Sequence, residues 1–179
     1  VPAVQVTQAR GAVLQKVAEI HETGIEKVAE AAQKMTAELK EARREITRLR
    51  EELTRHEAVR MLTKAKPIAN VKLITQCLKE VTAERLIKLS SELISVEPSL
   101  VAVLCSVNET ARIVVMAGNQ AVKAGIHSGN LAGEIAKLIG GGGSGKPDFG
   151  QGGGNIVDKV PEALATVEKV VEKMITKSG

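Results

Sequence analysis

Aromatic side chains are almost absent from this 179-residue sequence, which contains one phenylalanine, Phe149, and no tyrosine or tryptophan. RNA recognition by stacking bases on several aromatic rings is therefore excluded, and contacts to phosphate and to nucleic-acid shape remain. The hydrophobic core must be built mainly from Val, Ile, Leu, Ala and Met. We expect Phe149 to anchor a loop in that core rather than to contact RNA.

Metal-binding and catalytic patterns are also absent from the sequence. Cys77 and Cys105 lack the paired spacing of a zinc site or a redox motif, so we expect two reduced core thiols in a cytoplasmic protein. His21, His56 and His127 fall in separate predicted elements without an acidic or cysteine cluster beside them. With no triad or carboxylate pair either, the sequence predicts a non-catalytic binding and assembly module without a metal or cofactor.

Long apolar runs are missing as well, so we expect no membrane partner. The net charge of +4 and the pI near 9.1 permit a nucleic-acid partner without requiring one. The first third of the sequence is rich in charge and poor in glycine, whereas nearly all glycines follow it. This shift in composition predicts a helical dimerisation arm over residues 1–66 and a globular domain over residues 67–179.

An unbroken heptad pattern runs through the arm, with apolar or small residues alternating in steps of three and four. This seam consists of Ile25, Val28, Ala32, Met35, Leu39, Ala42, Ile46, Leu49 and Leu53. In a parallel pair of helices Glu38 would face Arg43, and Glu45 would face Arg50. The same charges could instead pair within one solvated helix. The narrow, sustained stripe favours self-association, and we predict a homodimer.

A break is predicted before the seam, where Gly24 can end one helix and Thr23 with Glu26 can form a capping box for the next. The arm is then helix, break, helix. Two helices from each of two chains could associate, or one pair could fold into a hairpin, and the sequence leaves both packings open.

The globular domain shows alternating strand and helix signals. We predict strands at Ile68–Leu73, Leu100–Val107 and Arg112–Ala117, and helices at Thr82–Ile94, at His127–Ile139 and from Val160 or Pro161 onward. The short turn between the last two strands predicts an antiparallel hairpin. The fold class is therefore mixed α+β, a long coiled-coil arm followed by a small α/β domain with a glycine-rich loop.

The glycine-rich stretch at 140–154 begins like a phosphate-binding P-loop. Lys146 is in place, but Pro147 stands where a P-loop needs Ser or Thr for magnesium, and the stretch follows a helix instead of a strand. We therefore reject a nucleotide triphosphatase and predict a packed loop whose amides and Lys146 contact phosphate. Asp148 is predicted as a turn residue, and His127 could either bind phosphate or cap local structure.

The order and spacing of three segments resemble a known family. The segments 125–131, 134–139 and GGGGSGKPDFGQGGG at 140–154 are similar to the DHH-associated domain at the C-terminus of alanyl-tRNA synthetases, in which the position of Gly150 is commonly alanine. The arm, including Gly11–Gln15, resembles the preceding helices more loosely. The resemblance implies a non-catalytic C-terminal fragment whose parent ligase would use ATP with magnesium, and zinc.

The resemblance further implies tRNA(Ala) and a second copy of the chain as partners, with the globular part contacting the outer corner of the tRNA in support of aminoacylation and editing. The predicted RNA contacts are Gly140, Gly141, Gly142, Gly143, Lys146, Gln151, Gly152, Gly153, His127, Lys123 and Arg112. Two alternatives stay open, namely the substrate-binding associated domain of a DHH-type phosphoesterase and a purely structural coiled-coil dimer. The long heptad arm argues against the phosphoesterase.

Overall fold

The computed structural model describes residues 2–178, and their side chains from Arg10 to Lys177. The chain forms two compact units, one ending at Glu51 and one beginning at Glu52. The helices are α1 (Pro2–Ile20), α2 (Val28–Leu62), α3 (Ala83–Val96), α4 (Asn119–Lys123), α5 (Ser128–Leu138) and α6 (Val160–Ser178). The strands are β1 (Lys66–Ile68), β2 (Val71–Lys79), β3 (Leu100–Val107), β4 (Ala111–Ala117), β5 (Gly141–Gly145) and β6 (Phe149–Gly154). The predicted mixed fold class is confirmed.

The break between α1 and α2 lies where it was predicted, but the residues and hydrogen bonds that end α1 differ from the predicted ones. Glu22 adopts a left-handed conformation with φ of 49°. The amide of Thr23 donates to the carbonyl of Ala18 and the amide of Glu22 to that of Glu19, the two bonds of a Schellman motif. Thr23 thus closes α1, and Gly24 precedes the next turn without a side-chain cap. The predicted capping box is wrong because the amide of Thr23 is committed to the preceding helix.

The second unit is built on a six-stranded sheet in the order β1-β2-β3-β4-β6-β5. Strands β2 and β3 are parallel, joined by α3, and every other neighbouring pair is antiparallel. The predicted strand Ile68–Leu73 is wrong, because Ala69 adopts φ of 50° and turns the chain between β1 and β2. Strand β3 and its antiparallel pairing with β4 are confirmed.

Helices cover both faces of the sheet. Leu86, Leu89 and Leu93 of α3 pack in one core cluster with even-numbered residues of β3 and with Ala58 and Met61 of α2. The odd-numbered residues of β3 pack in a second cluster with α5 and α6. Burial on both faces explains why all but the last residue of β3 are buried. The cap that was predicted for α3 is confirmed, since the hydroxyl of Thr82 accepts from the amide of Arg85 at 3.3 Å.

Candidate nucleic-acid interface

The glycine-rich stretch forms a β-hairpin instead of the predicted loop. Strand β6 pairs with β4 on one side and with β5 on the other, and β5 is the edge strand. The residues between them, Lys146 to Asp148, make the turn. Glycine opposes strand formation by its intrinsic preference, so local sequence could not predict this hairpin.

One face of the hairpin lies directly on the backbone of α5. A Cβ atom added at Gly150 would lie 2.2 Å from the carbonyl oxygen of Ser128, and one at Gly154 would lie 2.2 Å from that of Ile139. From the helix side, a Cβ at Gly129 would lie 2.6 Å from the carbonyl of Gly145. Only glycine permits this approach of strand to helix. Alanine at position 150, common in the similar family pattern, would require α5 to shift away from β6.

The amides at the N-terminus of α5 are already bonded within the chain. The carbonyl of Pro147 accepts from the amide of Ser128 at 2.9 Å, and the carbonyl of Lys146 accepts from that of Gly129 at 3.0 Å. His127 caps the helix, since its Nδ1 accepts from the amide of Asn130 at 3.2 Å. This helix terminus therefore offers none of these donors to an anion, and of the two roles considered for His127 the structure shows capping.

The opposite face of the hairpin is open. A Cβ atom added at Gly142 would meet nothing within 4 Å. Here Arg112 of β4 pairs with Gly153 of β6, which pairs with Gly142 of β5, so that one row crosses three strands. A shallow cavity of about 550 Å³ covers this region and is lined by Ala83, Arg112, Ile113, Val114, Gly142, Gly143, Ser144, Gln151 and Gly152. We call this region the open glycine surface.

The charge around Arg112 differs between its two sides. Its side chain is exposed and, within the described part of the chain, forms no ion pair or hydrogen bond. The lining of the open glycine surface includes no acidic residue. A second cavity of about 430 Å³ on the other side of Arg112 is lined by Glu80 and Glu109, among others. The carboxylates that share a cavity with Arg112 therefore lie outside the lining of the open glycine surface, which favours the approach of an anion from the glycine side.

The structure brings about half of the predicted RNA contacts together. Arg112, Gly142, Gly143, Gln151 and Gly152 line one cavity, and Gly153 lies in the row beside them. Ser144, which sequence reasoning missed, joins them because it pairs with Gln151 across the hairpin. Only knowledge of the strand register could have identified it.

The remaining predicted contacts lie elsewhere. Lys146 is in the hairpin turn, which bonds to the start of α5 next to His127, and Lys123 ends α4. Gly140 has φ of +73° and its amide donates to the carbonyl of Lys137, so it serves the end of α5. A Cβ at Gly141 would lie 1.8 Å from the carbonyl oxygen of Gly153, which reflects strand packing.

The predicted heptad seam is largely exposed in this single chain. The exposed fractions are 52% for Met35, 51% for Leu39, 49% for Ile46 and 50% for Leu49, and Ala42 is exposed as well. In the second unit, Leu53 is 63% exposed.

The first residues of the seam are covered more than the rest. Ile25 is exposed, but Val28 is buried and Ala32 is half-buried. Val28 and Ala32 lie close to the break after α1, where Ala18 is also buried. Every seam residue from Met35 onward is therefore exposed, whereas the seam before it is interrupted by burial at Val28.

One of the predicted interhelical charges is paired within its own helix. The guanidinium of Arg48 donates to both carboxylate oxygens of Glu45, at 2.9 and 2.7 Å. This hydrogen bonding holds the pKa of the Glu45 carboxyl below its ordinary value. A cross-chain pair between Glu45 and Arg50 would compete with this contact, so we expect that pair to contribute little to the choice of partner.

The described residues show neither a cluster suited to a metal ion nor a helix suited to a membrane. No group of three or more His, Cys, Asp and Glu side chains that could hold a metal ion occurs among them. Within the same range, no helix combines the length and apolar character needed to cross a bilayer.

Comparison with known proteins places this architecture in a family. The model of the DHHA1 domain matches residues 70–173, so the chain belongs to the DHHA1 domain family. The relatives that match include alanine–tRNA ligases. That of Methanosarcina mazei is 37% identical over 142 residues, 79% of this chain and 15% of that protein. That of Natranaerobius thermophilus is 34% identical over 166 residues, 92% of this chain and 19% of that protein. The predicted resemblance is confirmed.

A solved structure shares the fold. The C-Ala domain of Aquifex aeolicus alanyl-tRNA synthetase superimposes with a TM-score of 0.57 at 24% identity, covering 60% of this chain and 97% of that domain. The chain spans less than a fifth of the length of the two ligases above.

Proposed function

We propose that this chain is the C-terminal part of an alanine–tRNA ligase, where it binds the outer corner of tRNA(Ala) and joins two copies of the enzyme without contributing catalytic residues. The similarity to the Natranaerobius thermophilus ligase extends over 92% of the chain and so includes the arm as well as the sheet domain. In this role the chain supports aminoacylation and editing that are carried out by other parts of the ligase.

The open glycine surface carries the proposal for RNA binding. Gly142 leaves room for the sugar-phosphate backbone of an RNA to approach β5 closely. Arg112 supplies a charge that has no carboxylate partner among the described residues, and Gln151 and Ser144 supply hydrogen-bonding groups on the same lining. Contacts of this kind recognise phosphate and shape, which suits a chain that has no cluster of aromatic side chains. Lys146 in the hairpin turn, with His127 through the ring nitrogen that is not used in capping, would form a second, separate contact, and Lys123 at the end of α4 would add a further positive charge.

Filter binding of tRNA(Ala) over a range of salt concentrations tests this proposal. Arg112→Ala should weaken binding and lower the slope of log K against log salt by about one, because one phosphate contact is lost. Lys169→Ala removes the same charge from an exposed position on α6 and serves as the matched control. Gly142→Val should weaken binding without unfolding the domain, since a side chain has space there.

The outcomes separate the possible sites. Absence of salt-sensitive binding by the unmodified chain would contradict the RNA proposal itself. If Arg112→Ala and Gly142→Val both bind tRNA normally and Lys146→Ala binds it more weakly, the RNA contact lies at the hairpin turn instead of the open glycine surface.

Dimerisation is proposed through the exposed apolar stripe of α2. Met35, Leu39, Ile46 and Leu49 leave about half of their surface in water in the single chain. A second copy of the same helix would cover this narrow stripe with matching residues, since a seam of two positions in seven is the pattern of a coiled coil. The stripe is what favours a ligase appendage over an isolated RNA-binding domain.

A further inference from the structure

The two cysteines, far apart in sequence, are direct neighbours in the sheet. Strands β2 and β3 run parallel, and their register pairs Cys77 with Cys105. Side chains along a strand alternate between its two faces, so Cys77 lies on the same face of β2 as Leu73, and Cys105 on the same face of β3 as Val103. Leu73 and Val103 belong to the core cluster that packs against α5 and α6, so both cysteine side chains project from that face of the sheet. Neighbouring strands lie roughly 4.7–4.9 Å apart, within the range of about 4.4–6.8 Å that separates the Cα atoms of a disulfide.

The two thiols differ in access. Cys105 is fully buried, whereas Cys77 is exposed. Strand β1 pairs only with Val71 to Leu73, which leaves the end of β2 that carries Cys77 uncovered on that side. Our expectation of two core thiols is therefore correct for Cys105 and wrong for Cys77.

A cavity leads to the exposed thiol. It has a volume of about 600 Å³ and is lined by Cys77 together with Val107, Val160, Leu164 and other residues. A small oxidant can thus reach the sulfur of Cys77 from solvent. The route ends there, because Cys105 lies behind Cys77 within the packed core.

The buried position of Cys105 also affects the protonation of its thiol. Burial, and next to it a hydrogen bond to the Cys77 thiol, raise the pKa of the Cys105 thiol. Because the thiolate is the form that reacts with peroxides, Cys105 is protected from direct oxidation. The exposed residue must react first.

We infer that Cys77 and Cys105 are a modification site, a cross-strand thiol pair that a hydroperoxide converts reversibly to a disulfide. The sulfur of Cys77, having lost its proton, attacks one peroxide oxygen. The O–O bond breaks, and the departing oxygen takes up that proton, leaving sulfenic acid at Cys77 and water when the oxidant is hydrogen peroxide. The sulfur of Cys105, passing its proton to the departing hydroxyl in the same step, then attacks the adjacent sulfur of Cys77, so that the S–S bond forms and the S–O bond breaks.

The second step releases the sulfenic hydroxyl with the proton of Cys105 as water. Two thiols have then lost two electrons and two protons, and one hydrogen peroxide has become two waters. The buried partner needs no contact with the oxidant, because the strand register already holds it beside Cys77. A dithiol reductant reverses the change by two thiol–disulfide exchanges that begin at the exposed sulfur of Cys77.

Peptide mapping of the full chain tests this inference. The native protein is treated with hydrogen peroxide, quenched with catalase, denatured in iodoacetamide and digested with trypsin. We expect a disulfide-linked pair of peptides, 73–79 with 89–112, whose mass is lower by two hydrogens than the sum of the free thiol peptides. Dithiothreitol should restore both as alkylatable peptides.

Two variants identify the order of reaction. In Cys77→Ser, Cys105 should stay a thiol that iodoacetamide labels only after denaturation. In Cys105→Ser, the sulfenic acid at Cys77 should persist and be trapped by dimedone. The peptide map of the wild-type protein tests the inference even if the variant at the buried Cys105 misfolds. Dimedone labelling of wild-type Cys77 without the linked peptides, or a link that joins two copies on a non-reducing gel, would overturn the inference.

Discussion

Substitution of alanine at Gly154 should destabilise the sheet domain, and the same substitution at Gly142 should not. The new Cβ at position 154 would lie 2.2 Å from the carbonyl oxygen of Ile139. That carbonyl also accepts a hydrogen bond from the amide of Ile156 at 2.9 Å. Strand β6 cannot retreat, because Gly154 is paired on both sides, with Ala111 and with Gly141.

The expected cost combines overpacking with the weakened hydrogen bond. We expect Gly154→Ala to lower the free energy of unfolding by about 2–4 kcal/mol. Gly142→Ala meets open space and restricts the unfolded chain, so its effect should lie between zero and a gain of about 1 kcal/mol.

Hydrogen exchange in increasing urea, read by mass spectrometry on peptides that cover β4, measures the stability of the sheet itself. This assay avoids two problems, since the chain has no tryptophan or tyrosine for fluorescence and since helices of both the arm and the sheet domain contribute to the circular dichroism. Equal protection of β4 in the two variants would refute the idea that contact with α5 dictates glycine in the hairpin.

The arm and one surface carboxyl give the remaining predictions. Leu39→Glu combined with Leu49→Glu should convert a dimer to a monomer in sedimentation, whereas Ala37→Glu, outside the seam, should leave the dimer intact; an unchanged mass in the double variant would contradict the seam. A hydrogen bond from Lys72 is the main cause that holds the pKa of the Glu97 carboxyl below its ordinary value of 4.5. Glu97→Gln should therefore lower stability near neutral pH, and its difference from wild type should vanish as the pH falls through the lowered pKa. Urea titrations at several pH values check this, and a pH-independent difference would argue against the bond.

Elements with strong local signals could be predicted from the sequence. Strand β3 is an apolar run long enough to be buried on both faces, and its predicted bounds match the structure. Thr82 stands before an amphipathic pattern, and it caps α3. The short turn before Ala111 correctly indicated an antiparallel pair. In each case the signal lies within a few residues of the element it specifies.

Features that depend on contacts between distant segments could not be predicted. The hairpin of β5 and β6 contradicts the preference of glycine, and it forms because α5 and β4 hold it in place. The pairing of Cys77 with Cys105 likewise needs the register of two strands that α3 separates. Glu22 ends α1 in a left-handed conformation although Gly24, the better residue for that geometry, follows two positions later.

The glycines of the hairpin differ in whether packing requires them, and this difference bears on function. Eight of the nine glycines between 140 and 154 would place a Cβ within about 3.0 Å of another atom, so packing accounts for them. Gly142 would not, and its φ is not one that excludes other residues. Glycine weakens a strand where it serves no packing purpose. Its presence at 142, in the row that contains Arg112, therefore supports our proposal that an RNA backbone approaches the open glycine surface closely at this position.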